Sequence, residues 1–329
     1  MGEFLLKRLF LSIFILFFVM LIVYALMYSL PTSYVEAVSR ELATKPGSTK
    51  SAQEWIAELN KQYGFDKGVF GGFFTWLKSA VRGDFGDSWN WTVPVTQKFN
   101  DVIWYSFALG LVVFILEVFI AVPLGITAAR KQYSATDYTV TVISVIGISL
   151  PTFFIATLLK LVLSVKFGWF DISGMQGRNY LVLSNFGRFI DLVGHFVLPA
   201  LTLTIISIGS LMRYTRTNML EVLNSDYIRT ARAKGLSERK VINHHAFRNT
   251  LIPLVTILGG SLPALLSGAL ITETLFAIRG IGYTSYYSMI SGDIPFTMFY
   301  LAFVAIVTLL GNLVSDVLYA IVDPRVRVH

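Results

Sequence analysis

The sequence predicts an all-α membrane protein with six transmembrane helices, and three observations carry that expectation. Of the 329 residues, 54% are hydrophobic and only 14% are charged, which lies outside the composition of soluble globular domains. Six apolar stretches are each long enough to cross a bilayer, a task that takes about 20 helical residues. Basic residues gather on alternate connections, as expected when Lys and Arg are retained on the cytoplasmic side. The formal charge of +7 therefore belongs to membrane-flanking loops rather than to a nucleic-acid surface. The chain has no cysteine, so neither a disulfide framework nor a thiolate metal site can form.

Leu9 to Leu30 is the first span, preceded by Lys7 and Arg8. It is too long for the apolar region of a signal peptide and lacks a small-residue cleavage site, so a retained helix is expected. Its basic flank puts the N-terminus in the cytoplasm. Residues 31–101 are polar and mixed in charge, and are expected to form a small extracytoplasmic domain. Within it, Ser51-Ala-Gln-Glu54 has capping-box spacing before Trp55, Ile56 and Leu59. Phe73, Phe74, Trp76, Leu77 and Val81 form a second short amphipathic pattern, which Gly83 and Gly86 end.

Val102 to about Ala129 is the second span, with Arg130 and Lys131 at its cytoplasmic end. The third, Tyr138 to about Val165, is interrupted at Gly147 and Pro151. An external loop from Phe167 to Asp191 leads to the fourth span, Gly194 to Leu211. Leu251 to Ala277 is the fifth, and Phe296 to Val322 the sixth. Arg325 and Arg327 then place the C-terminal tail, 323–329, in the cytoplasm.

Between the fourth and fifth spans lies the longest polar segment of the second half. From Arg213 to Arg248 it carries eight Lys/Arg against Glu221, Asp226 and Glu238. Asn224 or Ser225 can cap a helix whose last turn carries Lys234, and Gly235 supplies a stop. Ser237 can start a second helix, with Glu238 at its positive end. Ala231, Ala233 and Gly235 leave a low surface that another backbone can approach.

Tyr227-Ile-Arg-Thr-Ala231-Arg-Ala-Lys-Gly235, followed by His245-Ala-Phe-Arg248-Asn249 and Pro253, resembles the cytoplasmic coupling loop of bacterial ABC-importer permeases, in their peptide and nickel branch. The family pattern Glu-Ala-Ala, three residues, Gly is matched strictly only at Ala231 and Gly235. Arg229 and Thr230 occupy its first two positions. Tyr63-Gly-Phe-Asp66, Gly83-Asp-Phe-Gly-Asp-Ser88, Glu273-Thr-Leu-Phe276 with Gly280-Ile-Gly282, Asp293-Ile-Pro295 and Asp323-Pro-Arg325 extend the likeness along the chain. Arg279 stands where that family segment usually has proline.

The resemblance implies a type I ABC-importer permease architecture, with 31–101 as an insertion between helices 1 and 2 and 102–322 as the permease core. The core would include a coupling loop, 213–250. It implies a bacterial plasma-membrane location and a homologous second permease, two cytoplasmic ABC ATPases and an extracytoplasmic binding protein as partners. Oligopeptides or dipeptides would be the cargo, with nickel as the alternative. ATP and Mg would be bound by the ATPases, with no cofactor on this chain. Asp226, Tyr227, Thr230, Ala231, Ala233, Lys234, Gly235 and Leu236 would meet an ATPase.

Charges in or near the spans, Glu117, Glu273 and Asp316, together with Arg279, are candidates for the pathway or for helix interfaces, because charge in lipid is costly. A proton relay through the three acids, and hence an ion-coupled secondary transporter, is the rival reading. Matching broken helices in two halves are not evident in the sequence. No G-x-x-x-x-G-K-[ST] loop, H-E-x-x-H or G-x-S-x-G elbow occurs, so no catalytic or metal-ligating residues are assigned. His195 stands alone at the start of a span and is expected to be a packing or hydrogen-bonding residue.

Overall fold

The computed structural model describes residues 2–29, 33–45 and 47–322. The Asp323-Pro-Arg325 element and the basic tail lie outside these residues. In chain order the helices are α1 (Gly2–Tyr28), α2 (Ser33–Thr44), α3 (Ala52–Tyr63), α4 (Gly68–Ala80), α5 (Val95–Arg130), α6 (Ala135–Ser149), α7 (Thr152–Leu159), α8 (Asn185–Leu223), α9 (Asp226–Ala233), α10 (Glu238–Lys240), α11 (Phe247–Ser261), α12 (Ala264–Ser267), α13 (Leu270–Leu275), α14 (Ile281–Ile290) and α15 (Ile294–Val322). Wider π-helical turns at Lys160–Lys166 and Val241–Ala246 extend α7 and join α10 to α11. The chain divides into two compact units, 1–104 with 284–310 and 105–283 with 311–329.

Among the described residues five helical stretches are long and apolar enough to cross a membrane: Leu6–Tyr28, Val95–Arg130, Asn185–Leu223, Pro253–Leu275 and Ile294–Leu318. The expected third span is a bent pair, α6 followed by α7 and its π turn, with an angle of 105° between the two arms. Proline disfavours the helical basin for the residue before it. Leu150 takes extended backbone at ψ 133, and Pro151 itself is extended at ψ 144. The fifth span is also broken, into α11, α12 and α13, at Pro263 and at Gly268. The fourth span ends well beyond its expected limit. Helix α8 runs 39 residues through Arg213 and Arg216 to Leu223, so the first third of the expected loop is helix.

In the first unit, α4 packs on α1 around Tyr24, Phe73 and Trp76, and Ile294 and Met298 of α15 complete this core. The capping box forms as its spacing predicts: Ser51 Oγ accepts from the Glu54 N–H and Glu54 Oε2 accepts from the Ser51 N–H, at 3.3 and 2.7 Å. Helix α2 is absent from the sequence expectations, although Ser33-Tyr-Val-Glu36 has capping-box spacing and Val35, Val38 and Leu42 recur at helical intervals. The segment after α4 is held by Asp293, a fully buried carboxylate that accepts from Ser88 Oγ and from the N–H groups of Trp89, Asn90 and Phe296. Burial pushes its carboxyl above the usual carboxylate range, and these donors pull it back.

In the second unit, α6 and α8 approach through small residues. A Cβ added to Gly147 would lie 2.6 Å from the Ile205 carbonyl oxygen, and one on Gly209 would lie 2.6 Å from that of Ser144. Close backbone approach replaces hydrophobic drive where the surrounding solvent is itself apolar. The same pair is pinned by a bidentate ion pair, Arg216 Nε to Asp137 Oδ1 at 2.5 Å and Nη2 to Oδ2 at 2.8 Å. Arg216 thus serves the fold itself, although the sequence counts it among the loop charges.

Candidate coupling surface and membrane cleft

Helix α9 is short, and its two faces differ. Ile228 and Ala231 turn inward onto Met219 of α8 and onto Val241, Ile242 and Ala246 of the following π turn. Burying Ile228 completely contributes roughly 1.5–3 kcal/mol, enough to fix the orientation of an eight-residue helix. Asp226, Tyr227, Thr230, Ala233, Lys234 and Gly235 are exposed on the opposite side. Ala231 therefore differs from the sequence reading. It is 7% exposed and supports the segment from beneath, while Ala233 and Gly235 alone form the low outer surface.

The helix ends at Ala233, with Lys234 as its C-cap. The Leu236 N–H donates to the Ala231 carbonyl at 3.4 Å and the Gly235 N–H to that of Arg232 at 2.9 Å. These are the two bonds of a Schellman cap, with Gly235 at φ 73 in its left-handed position. Leu236 packs back on the cluster that contains Ala231, the apolar contact that accompanies such a cap. Across the elbow the Arg232 guanidinium forks onto Glu238, Nη2 to Oε1 at 2.8 Å and Nε to Oε2 at 3.2 Å. Hydrogen bonding to Arg232 holds the Glu238 carboxyl below its usual range. Sequence reasoning missed this strap, because a spacing of six residues marks no face of a helix.

The expected caps are present in position but not in chemistry. Ser225 occupies the N-cap of α9, yet its hydroxyl donates back to the Val222 carbonyl at 2.6 Å. Ser237 precedes α10 without a side-chain cap bond, and Asn224 closes α8.

Deeper in the same unit, α5, α8 and the broken α11–α13 surround a cleft of about 310 Å³. Glu117 and Glu273 both line it, among apolar walls that include Leu109, Val113 and Leu265. Glu273 is fully buried and satisfied, accepting from Ser106 Oγ at 2.7 Å, the Ala269 N–H at 3.0 Å and the Tyr283 N–H at 2.8 Å. It thus ties the break in the fifth span to α5 and to the start of α14. Glu117 is half-buried and is met by the Ser207 side chain. The structure does not bring Asp316 and Arg279 to this cleft. Asp316 lies half-buried on α15, and Arg279 is exposed in the turn before α14, its N–H facing Met175 Sδ at 3.4 Å. His195 bonds through Nδ1 to the Asp191 carbonyl at 2.7 Å, and its Nε2 lies 3.2 Å from Asp171. Among the described residues no group of three or more His, Cys, Asp or Glu is arranged to hold a metal.

Long apolar helices, with a bent α6–α7 pair, a broken α11–α13 stretch and a capped polar elbow between α8 and α11, mark a multi-pass membrane protein. The chain belongs to the family of binding-protein-dependent transport system inner membrane components, whose model matches residues 121–328. It is a permease subunit of an ABC importer, a transport component rather than an enzyme, with ATP hydrolysis carried by separate subunits. Among its relatives is the oligopeptide transport system permease protein AppB of Bacillus subtilis, 38% identical over 84% of this chain and 87% of that protein. The dipeptide transport system permease protein DppB of Escherichia coli is 33% identical, covering 99% of both chains. A solved structure of the MetNI methionine ABC transporter, inward-facing, matches 69% of this chain and 97% of its own at TM-score 0.54 and 16% identity, a likeness of fold.

Proposed function

We propose that this permease carries oligopeptides or dipeptides inward across the bacterial plasma membrane, as one of a pair of homologous permeases. The observation that supports this most directly is the alignment with a dipeptide permease over 99% of both chains, including the segment 31–101 that precedes the shared family core. In this reading two cytoplasmic ATPases bind ATP and Mg, and an extracytoplasmic protein delivers the peptide. Six membrane crossings, counting the bent α6–α7 pair as one, leave both termini in the cytoplasm and residues 31–101 on the extracytoplasmic side, between the first two crossings. The outer face of α9 with its elbow, from Asp226 through Tyr227, Thr230, Ala233 and Lys234 to Gly235, is the ATPase-docking element; Ala231 and Leu236 hold it up from within. ATPase closure then biases a two-state switch between inward- and outward-facing forms. The cleft bearing Glu117 and Glu273 is a segment of the pathway wall.

The test is uptake of a labelled dipeptide into vesicles that hold the chain with its second permease and ATPases, supplied with the binding protein. Uptake is expected to need ATP and both ATPases. Equal uptake by this chain alone without ATP would refute the reading, and transport of nickel but not peptide would reassign the cargo.

A further inference from the structure

We infer that α4 is immersed in the membrane, and that phospholipid acyl chains cover its outward face and the groove it forms with α1 and α15. The sequence places residues 31–101 wholly outside the bilayer, but the packing of α4 argues otherwise. The Phe73 and Phe74 rings lie 5.4 and 6.3 Å from that of Phe17. Phe17 is the middle residue of the apolar span Leu6–Tyr28, about 17 Å along the helix from Tyr28 at 1.5 Å per residue. A helix that reaches the midpoint of a membrane span cannot stand clear of the membrane.

The chemistry of its faces agrees. Phe70, Phe74, Leu77 and Val81 recur at spacings of four, three and four, one stripe of a helix. Phe70, Phe74 and Val81 are 68%, 55% and 80% exposed. Lys78 flanks this stripe, about 40° round the helix from Phe74, and Arg82 and Thr75 lie farther round. The aromatic stripe continues through Phe17 and Phe18 to Phe14 on α1, which is 53% exposed and belongs to a span whose covering is lipid. A groove of about 470 Å³ between α1, α4 and α15, lined by Ile13, Phe17, Trp76, Phe85 and Phe303 among others, is almost entirely apolar.

A partner helix is the other conceivable cover, and the residue types oppose it. Helices pack in membranes through small residues, as α6 and α8 do here through Gly147 and Gly209. Of the α4 glycines, Gly72 is turned inward, where a Cβ would overlap the Tyr24 hydroxyl, while Gly68 and Gly71 lie off the outward stripe. The outward stripe is built of large side chains only, a surface suited to fluid chains.

The chain has no cysteine, so single nitroxide labels can be walked along the outward stripe at Phe70→Cys, Phe74→Cys and Val81→Cys. The variants are assembled with their partners in phospholipid bilayers, with Phe14→Cys as the lipid reference and Lys61→Cys as the aqueous one. Collision with dissolved O2 should exceed collision with a water-soluble nickel chelate at 70, 74 and 81, as at 14, with the reverse order at 61. Chelate-dominated collisions at 74 and 81 would place the helix in water and overturn the proposal. Low collision with both reagents at those sites would show a protein cover and overturn it equally.

Discussion

Replacing Gly235 separates the intrinsic cost of the elbow from the cost of a missing partner. Gly235 sits at φ 73, and a Cβ built there meets no atom of this chain within 4 Å. The expected penalty within the subunit is therefore conformational only, about 1–2 kcal/mol for a side chain in the left-handed region and toward the upper end for a β-branched one. That is too little to unfold a domain of ordinary stability. Gly168 supplies a matched control, at φ 65 and likewise with nothing within 4 Å. Gly168→Val and Gly235→Val should lower thermal stability in detergent by the same small amount and leave membrane insertion unchanged. If an ATPase approaches the elbow closely, Gly235→Val alone should also lose ATPase co-purification and peptide-dependent ATP hydrolysis, with Gly235→Ala intermediate. Equal transport by the two valine variants would refute the docking role of the elbow.

Cysteine at Ala233 should cross-link to an ATPase subunit with a short bifunctional reagent, whereas cysteine at the inward Ala231 should not. Cross-linking at 231 but not at 233 would mean that α9 presents its other face. Glu273→Ala would orphan one buried and two part-buried donors, at up to about 1–3 kcal/mol each where water cannot reach, so a loss of thermal stability is expected, with Glu273→Gln milder because its amide oxygen still accepts. Retained stability with altered cargo would instead assign Glu273 to substrate contact. The Arg232–Glu238 strap has a signed pH dependence. The folded carboxyl is held low, so its contribution is present above the ordinary glutamate range and is lost as pH falls through the depressed value. Affinity for the ATPases should weaken on acidification below that range, and Glu238→Gln should show the weakened affinity already at neutral pH.

Much of this architecture is local chemistry and is legible residue by residue. Length and apolarity fix which stretches can enter lipid, because an unpaired backbone polar group there must be satisfied within its own helix. The Ser51 capping box and the Gly235 stop are written in four to six consecutive residues, and both appear where their spacing puts them. The order of motifs along the chain likewise pointed to the permease family that the comparison of whole sequences establishes. Other features depend on residues far apart in sequence. Pro151 signals an interruption but not a 105° bend, which depends on what the arms pack against. Arg213 and Arg216 look like loop charges until α8 extends beneath them and Asp137, 79 residues away, claims Arg216. Ala231 and Ala233 are equivalent in sequence, two small residues on one short helix. Only the cluster formed by Met219, Val241 and Ile242 decides that the first is buried and the second exposed. The sequence determines which segments are helical and how they end, since propensity and capping act within a few residues. The direction each helix faces is decided by tertiary structure, because burial is a property of neighbours that the chain brings together only on folding.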